Sequence, residues 1–419
     1  MFPAQLGGRA DNGYVEIAAD GSLRILAALA QAMGFTPGAR AKVRRCGEQL
    51  LLQRPTTALA RLYLEATTAC NLRCRTCIRH VWDEPIGSMT AETFARVLAG
   101  VRALPEPPTV VFGGLGEPFA HPDLLDMIRE LKRTEARVEV ITNGVLLDEA
   151  RTRAVLDLGL DGLWVSLDGA SPECYAGVRV EGDLGVVMAN LERLRDLKRR
   201  EHSERPRLGI SFVAMKRNLA ELPEILKLEY RIGAREFLVT HVYPHTEELL
   251  EEALYRRSIG DSLRGRSRIQ LARPEFTRET AWMLDGMIKG DFGPKIEGLD
   301  ALWPADTCPF VLRGSACVRW DGAVSPCLPL LHRHTSYLGR RLRTSEAYTV
   351  GSLQNRDFPS IWQSPDYVAL RRRLEDFDFP FCTTCNSCDL ADDNQEDCFR
   401  NGPPTCGGCL WAQGFIRCP

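Results

Sequence analysis

Three cysteines lie close together in the stretch Cys70-Asn71-Leu72-Arg73-Cys74-Arg75-Thr76-Cys77, just after the apolar run Leu62-Tyr63-Leu64-Glu65-Ala66. This spacing, at the end of a predicted strand, can hold a [4Fe–4S] cluster by three of its four irons. Electron-transfer clusters normally have four cysteine ligands, and structural zinc sites are likewise closed by four ligands. An iron without a protein ligand is open to a further chelate, which indicates chemistry at the metal. Half of a zinc knuckle and three reduced core cysteines are the alternatives.

From residue 62 onward the sequence alternates predicted strands with predicted helices. The helices present apolar residues at helical spacing, as in Phe94, Val97, Leu98 and Val101. Six such repeats predict an α/β fold with a parallel sheet and right-handed crossovers. The predicted strands are Leu62–Ala66, Thr109–Phe112, Val138–Ile141, Leu163–Leu167, Leu208–Val213 and Glu236–Thr240.

Glycine-rich and polar residues occur where the predicted strands end. They are Gly113-Gly114-Leu115-Gly116-Glu117-Pro118, Asn143, Ser166, Asp168, Met215 and His241. In parallel sheets of this kind, ligands bind beyond the carboxyl ends of the strands. We therefore expect these residues and the three cysteines to form one site at that edge of the sheet.

The overall composition limits the class of protein. A length of 419 residues suggests about three domains. Lys and Arg number 53 against 55 acidic residues, and the net charge of -2 argues against non-specific binding to nucleic acid or to an anionic membrane. The early apolar segment Leu23–Met33 is too short to span a membrane and lacks the basic flank of a signal peptide. The sequence therefore predicts a cytoplasmic protein.

Most of the 15 cysteines are expected to be metal ligands, because the cytosol keeps thiols reduced. Cys46 and Cys174 stand apart from the others and are predicted to be buried free thiols. The C-terminal part is poor in apolar periodicity, so we expect metal to organise it. Its cysteines are Cys308, Cys317, Cys327, Cys382, Cys385, Cys388, Cys398, Cys406, Cys409 and Cys418.

Residues 60–245 resemble the radical S-adenosylmethionine (SAM) superfamily, whose signature is CxxxCxxC after the first strand of a partial (β/α)6 TIM-like barrel. The resemblance implies that SAM chelates the open iron of a [4Fe–4S] cluster held by Cys70, Cys74 and Cys77. Reduction of that cluster would cleave SAM to a 5′-deoxyadenosyl radical. The implied electron donor is a protein such as ferredoxin or flavodoxin.

The resemblance also implies the residues that bind SAM. The GGEP element of the family, which receives the methionyl amine, is matched by Gly113, Gly114, Gly116, Glu117 and Pro118. Because this copy has one extra residue, which glycine makes which contact stays open. The residue before the third cysteine is often aromatic in the family, and here it is Thr76.

Further SAM contacts follow from the later strands of the resemblance. Ser166 and Asp168 match a position that contacts the ribose or the methionyl group. Arg179 resembles an arginine that pairs with the SAM carboxylate, and a plain surface ion pair is its alternative. Asn143 and Met215 are expected to line the site.

The C-terminal cysteines resemble the SPASM domain of peptide- and protein-modifying radical SAM enzymes, which implies one or two auxiliary [4Fe–4S] clusters. Cys308, Gly322 and Cys327 fit its opening pattern, and Cys382 and Cys385 fit its later CxxC. The remaining spacings depart from the family, and ten cysteines exceed the eight ligands that two clusters need. Zinc is therefore an alternative metal for some of the last four cysteines, since thiolates bind both zinc and iron. The set in question is Cys398, Cys406, Cys409 and Cys418.

Two further resemblances concern the ends of the chain. Residues 12–54 resemble AbrB-like swapped-hairpin modules, which implies a homodimer formed through this segment. The ending Pro404–Pro419 is similar to that of radical SAM/SPASM maturases associated with tungsten-cofactor aldehyde ferredoxin oxidoreductases. The implied partner is such a tungsten oxidoreductase.

These observations predict a radical SAM/SPASM oxidoreductase or maturase that is not bound to membrane or nucleic acid. The expected division is an AbrB-like β-rich module at 1–55, a partial barrel at 56–260, a connecting region at 261–306 and a cysteine-rich iron–sulfur domain at 307–419. A maturase acting on a ribosomally made peptide is one alternative. A DNA-binding iron–sulfur regulator, suggested by the N-terminal module, is another.

Overall fold

The computed structural model describes residues 16–36, 39–46, 49–255, 295–297, 308–385 and 388–419. The first elements form two antiparallel hairpins and one short helix. They are β1 (Glu16–Ile17), β2 (Leu23–Arg24), α1 (Ala27–Ala32), β3 (Val43–Cys46) and β4 (Gln49–Leu52). The predicted pairing of the last two strands is thereby confirmed, whereas the AbrB-like identity of this segment stays a prediction.

A parallel sheet forms the centre of the molecule. Its strands are β5 (Arg61–Leu64), β6 (Thr109–Phe112), β7 (Val138–Thr142), β8 (Gly162–Ser166), β9 (Arg207–Ala214), β10 (Glu236–His241) and β11 (Lys295–Glu297). Each strand pairs in parallel with the next one along the chain. The six predicted repeats are confirmed, and β11 adds a strand inside the segment that we expected only to connect domains.

Helices cover the outer face of this sheet. They are α2 (Ala91–Arg102), α3 (Leu124–Lys132), α4 (Glu149–Asp157), α5 (Pro172–Val178), α6 (Leu184–Arg200), α7 (Leu222–Leu226), α8 (Leu228–Ile232) and α9 (Glu247–Glu252). The four apolar residues predicted to face inward on α2 are all buried. Asp148 caps α4, since its carboxylate accepts a hydrogen bond from the Arg151 amide at 2.8 Å.

One predicted helix is divided in the structure. The sequence predicts a single helix around residues 219–230, but a 3-10 turn at Leu219–Glu221 is followed by the two short helices α7 and α8. Pro223 lies in the first turn of α7, where its missing N–H costs no hydrogen bond. A helix therefore begins at this point instead of continuing from Leu219.

The C-terminal part contributes strands to the same sheet. Its elements are α10 (Pro309–Leu312), β12 (Ser315–Val318), β13 (Ala323–Ser325), β14 (His334–Leu338), β15 (Arg341–Ser345), β16 (Gly351–Ser352), α11 (Phe358–Trp362), α12 (Pro365–Asp376) and α13 (Cys382–Cys385). β12 pairs in parallel with β5, and β13 and β16 continue the sheet in antiparallel order. The barrel sheet thus passes directly into the cysteine-rich part.

Apolar packing organises much of this part as well. We expected metal alone to do so, but the side chains of α11 and α12 belong to the main apolar core. Phe358 packs on α2 so closely that a Cβ on Gly100 would lie 2.7 Å from the Phe358 Cβ. Trp362 and Tyr367 are also fully buried. Within the described ranges, no helix combines the length and the apolar composition that a membrane crossing requires.

Candidate active site

Residues 70–77, which contain the three cysteines and are here called the cysteine loop, lie beyond the carboxyl end of β5. Backbone hydrogen bonds attach the loop to the segment after α5, with Arg73 N donating to Val180 O at 3.1 Å and Arg75 N donating to Val178 O at 3.0 Å. A turn in which Cys77 N donates to Cys74 O at 3.0 Å brings two of the cysteines together. The cysteine loop after the first strand is therefore held against the segment that follows the fourth strand.

The three thiols lie near enough to influence one another. Burial raises the pKa of Cys74, and the charge of Cys70 adds to that effect. Burial also raises the pKa of Cys77, to which Cys74 and Cys70 both contribute. Iron binding removes the thiol protons, so a bound cluster would replace this unfavourable charging by metal–thiolate bonds. The donor set, three thiols of one short loop that are close enough to affect one another's pKa, fits the thiolate ligands of a [4Fe–4S] cluster.

No group of three or more His, Cys, Asp or Glu side chains in the described ranges is arranged to hold a single metal ion. Ligands of one zinc ion converge on a single centre, whereas each ligand of a cubane cluster binds a different iron.

The segment 113–118, here called the GGLGEP loop, lies directly against the cysteine loop. Glu117 N donates to Ala69 O at 2.8 Å. A Cβ on Gly116 would lie 2.1 Å from Thr67 O and 2.8 Å from Ala69 O, which is closer than any real Cβ contact. Gly116 is thus the glycine that allows the two loops to touch. Gly114 instead packs on Glu65, whose Cγ would lie 2.9 Å from its added Cβ.

The Glu117 carboxylate is bound mainly by the chain itself. It accepts hydrogen bonds from Thr142 Oγ1 at 2.7 Å, from Asn143 N at 2.7 Å and from Phe119 N at 3.1 Å. Its exposed fraction is 2%, and burial raises the pKa of this carboxyl group. Pro118 begins the 3-10 turn that carries Phe119. Glu117 therefore connects the GGLGEP loop to the end of β7. Only the lone pairs that these hydrogen bonds do not use remain available to a ligand.

Asn143 connects the third strand to the cysteine loop. Its Nδ2 donates to Asn71 Oδ1 at 2.8 Å and lies 3.9 Å from Cys70 Sγ. Ser166 is half-buried at the end of β8, and Met215 is buried just after β9. The structure thus places these predicted residues at the strand ends that surround the cysteines.

Arg179 reaches the cysteines from the end of α5. Its Nη1 lies 3.7 Å from Cys74 Sγ. The Asp168 carboxylate accepts hydrogen bonds from Arg179 Nε at 2.7 Å and, through its other oxygen, from Val213 N at 2.8 Å. The side chains of Arg179 and Asp168 are 12% and 0% exposed, so the alternative of a surface ion pair is wrong.

The C-terminal cysteines fall into two main groups. Burial, followed by the charges of Cys308 and Cys409, raises the pKa of Cys327 well above its ordinary value, and Cys406 belongs to the same neighbourhood. In the second group burial raises the pKa of Cys382 to about 11, with Cys398 and Cys388 contributing. Cys385 lies in α13 with Cys382 and is exposed, as is Cys398.

The remaining two C-terminal cysteines are neighbours of each other. Cys317 is fully buried on β12, and burial followed by the charge of Cys418 raises its pKa well above the ordinary value. Trp411 Nε1 lies 3.3 Å from Cys418 Sγ. Cys398 thus belongs with the second group and Cys418 with Cys317. Zinc bound by some of Cys398, Cys406, Cys409 and Cys418 stays an alternative.

Three residues that the sequence did not single out also lie at this edge. Glu65, Glu84 and His332 form a hydrogen-bonded set, with His332 Nε2 2.9 Å from Glu65 Oε2 and His332 Nδ1 2.7 Å from Glu84 Oε2. The only local signal for this set in the sequence was Glu65, a glutamate within a predicted strand that is otherwise apolar. The distance of these residues along the chain gave no indication that they meet.

Two protein-family models match the chain. The model of the radical SAM superfamily matches residues 64–228, which include the cysteine loop and the GGLGEP loop. The SPASM model, described as an iron–sulfur cluster-binding domain, matches residues 308–389. Each match falls on the segment for which the corresponding resemblance was predicted.

Relatives and solved structures agree with these matches. A Pyrococcus furiosus protein named tungsten-containing aldehyde ferredoxin oxidoreductase cofactor-modifying protein is 29% identical over 362 residues, or 85% of this chain and 96% of the relative. A probable GTP 3′,8-cyclase of Methanocaldococcus jannaschii is 25% identical and covers 64% of this chain and 84% of its own.

The fold likeness is also clear among solved structures. SuiB of Streptococcus suis bound to SAM superposes with a TM-score of 0.54 at 13% identity, over 83% of this chain and 74% of SuiB. The SAM-bound structure of anSMEcpe superposes with a TM-score of 0.53 at 15% identity, over 85% of this chain and 92% of its own. The chain therefore carries a radical SAM domain over residues 64–228 and a SPASM iron–sulfur cluster-binding domain over residues 308–389, and it is an enzyme that uses a [4Fe–4S] cluster, SAM and auxiliary iron–sulfur clusters.

Proposed function

We propose that this enzyme takes part in the maturation of a tungsten-containing aldehyde ferredoxin oxidoreductase. The observation that supports the proposal is the likeness to the Pyrococcus furiosus cofactor-modifying protein, which extends over 85% of this chain and 96% of that relative. A likeness of this extent includes both the barrel and the cysteine-rich part. The alternative of a peptide-modifying maturase has less support, because the PqqA peptide cyclase of Gluconobacter oxydans is 28% identical over only 43% of this chain and SuiB is 13% identical.

In the proposed site, Cys70, Cys74 and Cys77 would hold a [4Fe–4S] cluster and leave it open to SAM. Such a cluster, when bound, would supply the electron for reductive cleavage of SAM. The chain would hold the SAM carboxylate with Arg179, which is already fixed beside Cys74 at 3.7 Å. Asp168 would act as the positioning residue for that guanidinium.

The other proposed SAM contacts come from the strand ends. The GGLGEP loop offers backbone groups and Pro118 to the methionyl end, while Glu117 offers the lone pairs that Thr142, Asn143 and Phe119 leave free. The same loop is fixed against the cysteine loop by Gly116. The remaining lining residues are Gly113, Gly114, Asn143, Ser166 and Met215.

We assign the auxiliary ligands from the two groups of thiols. One proposed quartet is Cys308, Cys327, Cys406 and Cys409, and the other is Cys382, Cys385, Cys388 and Cys398. Cys317 and Cys418 are assigned to neither quartet, although they lie close to Cys308 and Cys327. The proposal has three further parts. The domains are divided at residues 55, 260 and 306, and the electron donor is a protein such as ferredoxin or flavodoxin. The chain forms a homodimer through residues 12–54.

Anaerobic reconstitution tests the cluster assignment. Three four-iron clusters predict about twelve irons per chain, and Cys74→Ala is expected to keep about eight and to lose SAM cleavage. Cys174→Ala is the matched control, because Cys174 lies outside every group and burial raises its thiol pKa to about 11. Equal iron content and SAM cleavage in Cys74→Ala and wild type would contradict the assignment.

Co-production with a tungsten-containing aldehyde ferredoxin oxidoreductase tests the substrate. We expect aldehyde oxidation to appear with the wild-type enzyme and not with Cys74→Ala. If the oxidoreductase is equally active when produced with either form, the maturation proposal is wrong even though the enzyme cleaves SAM.

A further inference from the structure

A buried histidine joins two carboxylates at the mouth of the barrel. His332 Nε2 lies 2.9 Å from Glu65 Oε2, and His332 Nδ1 lies 2.7 Å from Glu84 Oε2. The exposed fractions of the His332 and Glu65 side chains are 1% and 0%, and that of Glu84 is 25%. Because each ring nitrogen faces a carboxylate oxygen, an imidazolium that donates on both sides satisfies the whole set.

The charge balance favours this protonated form. Burial alone lowers the pKa of His332, but its hydrogen bonds and charge interactions with Glu65 and Glu84 outweigh burial and raise that pKa. Arg319 Nη1 lies 3.7 Å from Glu84 Oε2 and is itself paired with Asp321. A neutral His332 would leave Glu65 buried near the 25% exposed Glu84 with no positive charge between the two carboxyl groups.

The inner end of this set supports the GGLGEP loop. Glu65 directly follows β5 and, because side chains alternate along a strand, faces the barrel interior with Tyr63. Its Oε1 accepts a hydrogen bond from Leu115 N at 3.2 Å. Gly114 packs on the same side chain, with its added Cβ 2.9 Å from Glu65 Oε1. The position of Glu65 therefore fixes the backbone of the loop proposed to bind SAM.

The outer end belongs to other segments of the chain. Glu84 lies after the cysteine loop, and its Oε1 accepts a hydrogen bond from Arg333 N at 3.1 Å. The Trp82 ring packs edge-on against His332 with centroids 4.4 Å apart. His334 lies two residues further along the SPASM segment, and its pKa is lowered by burial and, to a smaller extent, by the charge of His332. His332 therefore links a SPASM segment, through Glu65, to the GGLGEP loop and, through Glu84, to the segment that follows the cysteine loop.

We propose that His332 is a positioning residue for SAM binding, because its imidazolium holds Glu65 beneath the GGLGEP loop and so couples the SPASM domain to the SAM site. This inference rests on the proposed SAM site. It assigns to the SPASM domain a structural effect on SAM affinity that does not require electron transfer through the auxiliary clusters.

The test uses the reconstituted enzyme and two readouts. SAM affinity is measured by equilibrium dialysis, and hydrogen–deuterium exchange is measured for the amides of residues 113–118. His332→Gln removes the charge and one of the two donors, so we expect the Kd for SAM to rise about tenfold, the effect of losing one charged hydrogen bond. Exchange at Leu115 should become faster. Arg333→Gln is the matched control, since that side chain is 51% exposed and pairs with Glu346 on the surface.

A double variant separates positioning from general damage. In Glu65→Gln/His332→Gln the buried unpaired carboxylate is gone, while the amide oxygen of the new glutamine side chain still offers an acceptor to Leu115 N. We expect this variant to recover much of the SAM affinity that His332→Gln loses. The same recovery is expected if the single variant fails to retain its iron. Equal SAM affinity and equal exchange in His332→Gln and wild type, or a double variant no better than the single one, would overturn the inference. Wild-type enzyme that binds no SAM would instead overturn the proposed site.

Discussion

The Arg179 guanidinium is fixed by the Asp168 carboxylate, with both Nε and Nη2 2.7 Å from Asp168 Oδ2. This ion pair is almost fully buried. It holds Arg179 Nη1 3.7 Å from Cys74 Sγ. Desolvation alone would lower the pKa of Arg179, but Asp168 raises it, so the guanidinium stays charged. A charge that is already oriented beside the cysteines needs little reorganisation when an anionic ligand binds.

Asp168→Asn is expected to impair both stability and SAM binding. Removing one partner leaves the buried guanidinium uncompensated, which costs about 3 kcal/mol of unfolding free energy. The Kd for SAM should rise at least tenfold because Arg179 loses its orientation. Glu149→Gln removes a surface contact to Arg153 of 2.9 Å and should change the unfolding free energy by less than about 0.5 kcal/mol. Denaturant titration and equilibrium dialysis check both expectations, and equal effects of the two substitutions would contradict them.

Gly116→Ala should separate the GGLGEP loop from the cysteine loop. The new Cβ would lie 2.1 Å from Thr67 O, and because the obstacle is backbone, neither side can move away by a change of rotamer. We expect a loss of about 2 kcal/mol in stability and incomplete loading of the cluster, measured by iron content and by the visible absorbance of the reconstituted protein. Gly402→Ala is the control, because nothing lies within 4 Å of its added Cβ. Full iron content in Gly116→Ala would show that the loops do not need this contact.

The sequence was sufficient for the parts of the fold that local signals control. The hydrophobic period predicted the strands and the buried face of α2, and the cysteine spacing predicted the position of the site. The same sequence could not show that β12 continues the barrel sheet beside β5, because strand pairing over such a distance leaves no local pattern. It also underestimated the apolar packing of α11, whose short run of residues has no repeating period to detect.

Residues that act through distant contacts were missed for the same reason. Glu65, Glu84 and His332 come from three segments that meet only in the folded chain. Glu117 was found, but as a direct ligand of the methionyl amine, whereas much of its capacity is used by Thr142 and Asn143. A motif thus identifies a residue type at a site without showing how the fold has already engaged its atoms.

The buried histidines predict how stability changes with pH. Burial lowers the pKa of His245 to about 4, from an ordinary value of 6.5. As the pH falls below 6.5 the unfolded chain takes up this proton and the folded chain does not, so stability decreases. His332 has the opposite sign, because its raised pKa means that its contribution is present below 6.5 and is lost as the pH rises through the folded value.

His245→Gln should therefore reduce the loss of unfolding free energy that occurs as the pH falls below 6.5. The difference between neutral pH and about pH 5 is expected to shrink by about 2 kcal/mol, measured by anaerobic denaturant titration at each pH. His202→Asn is the control, since His202 is exposed in a turn with a φ of 50° that asparagine tolerates. An unchanged acid slope in His245→Gln would show that its burial does not control the titration.

Arg371 predicts a purely structural effect in the C-terminal part. Its side chain on α12 is 1% exposed, and its guanidinium lies 3.7 Å from the centre of the Trp362 ring and 4.2 Å from that of Tyr367. Nε donates to Thr56 O at 2.7 Å and Nη2 donates to Trp362 O at 2.8 Å. These bonds tie the helix pair α11 and α12 to the segment that leads into β5.

Arg371→Ala removes both charged hydrogen bonds and the ring contacts, and it leaves two carbonyl groups without their donor. The expected cost is about 4 kcal/mol of unfolding free energy. Arg372→Ala, one residue further along the same helix, changes an exposed side chain and should cost less than about 0.5 kcal/mol. Because Arg371 lies outside both loops of the site, the folded variant should cleave SAM at the wild-type rate well below its unfolding temperature. A variant that stays stable yet loses SAM cleavage would instead place Arg371 in the coupling between the two domains.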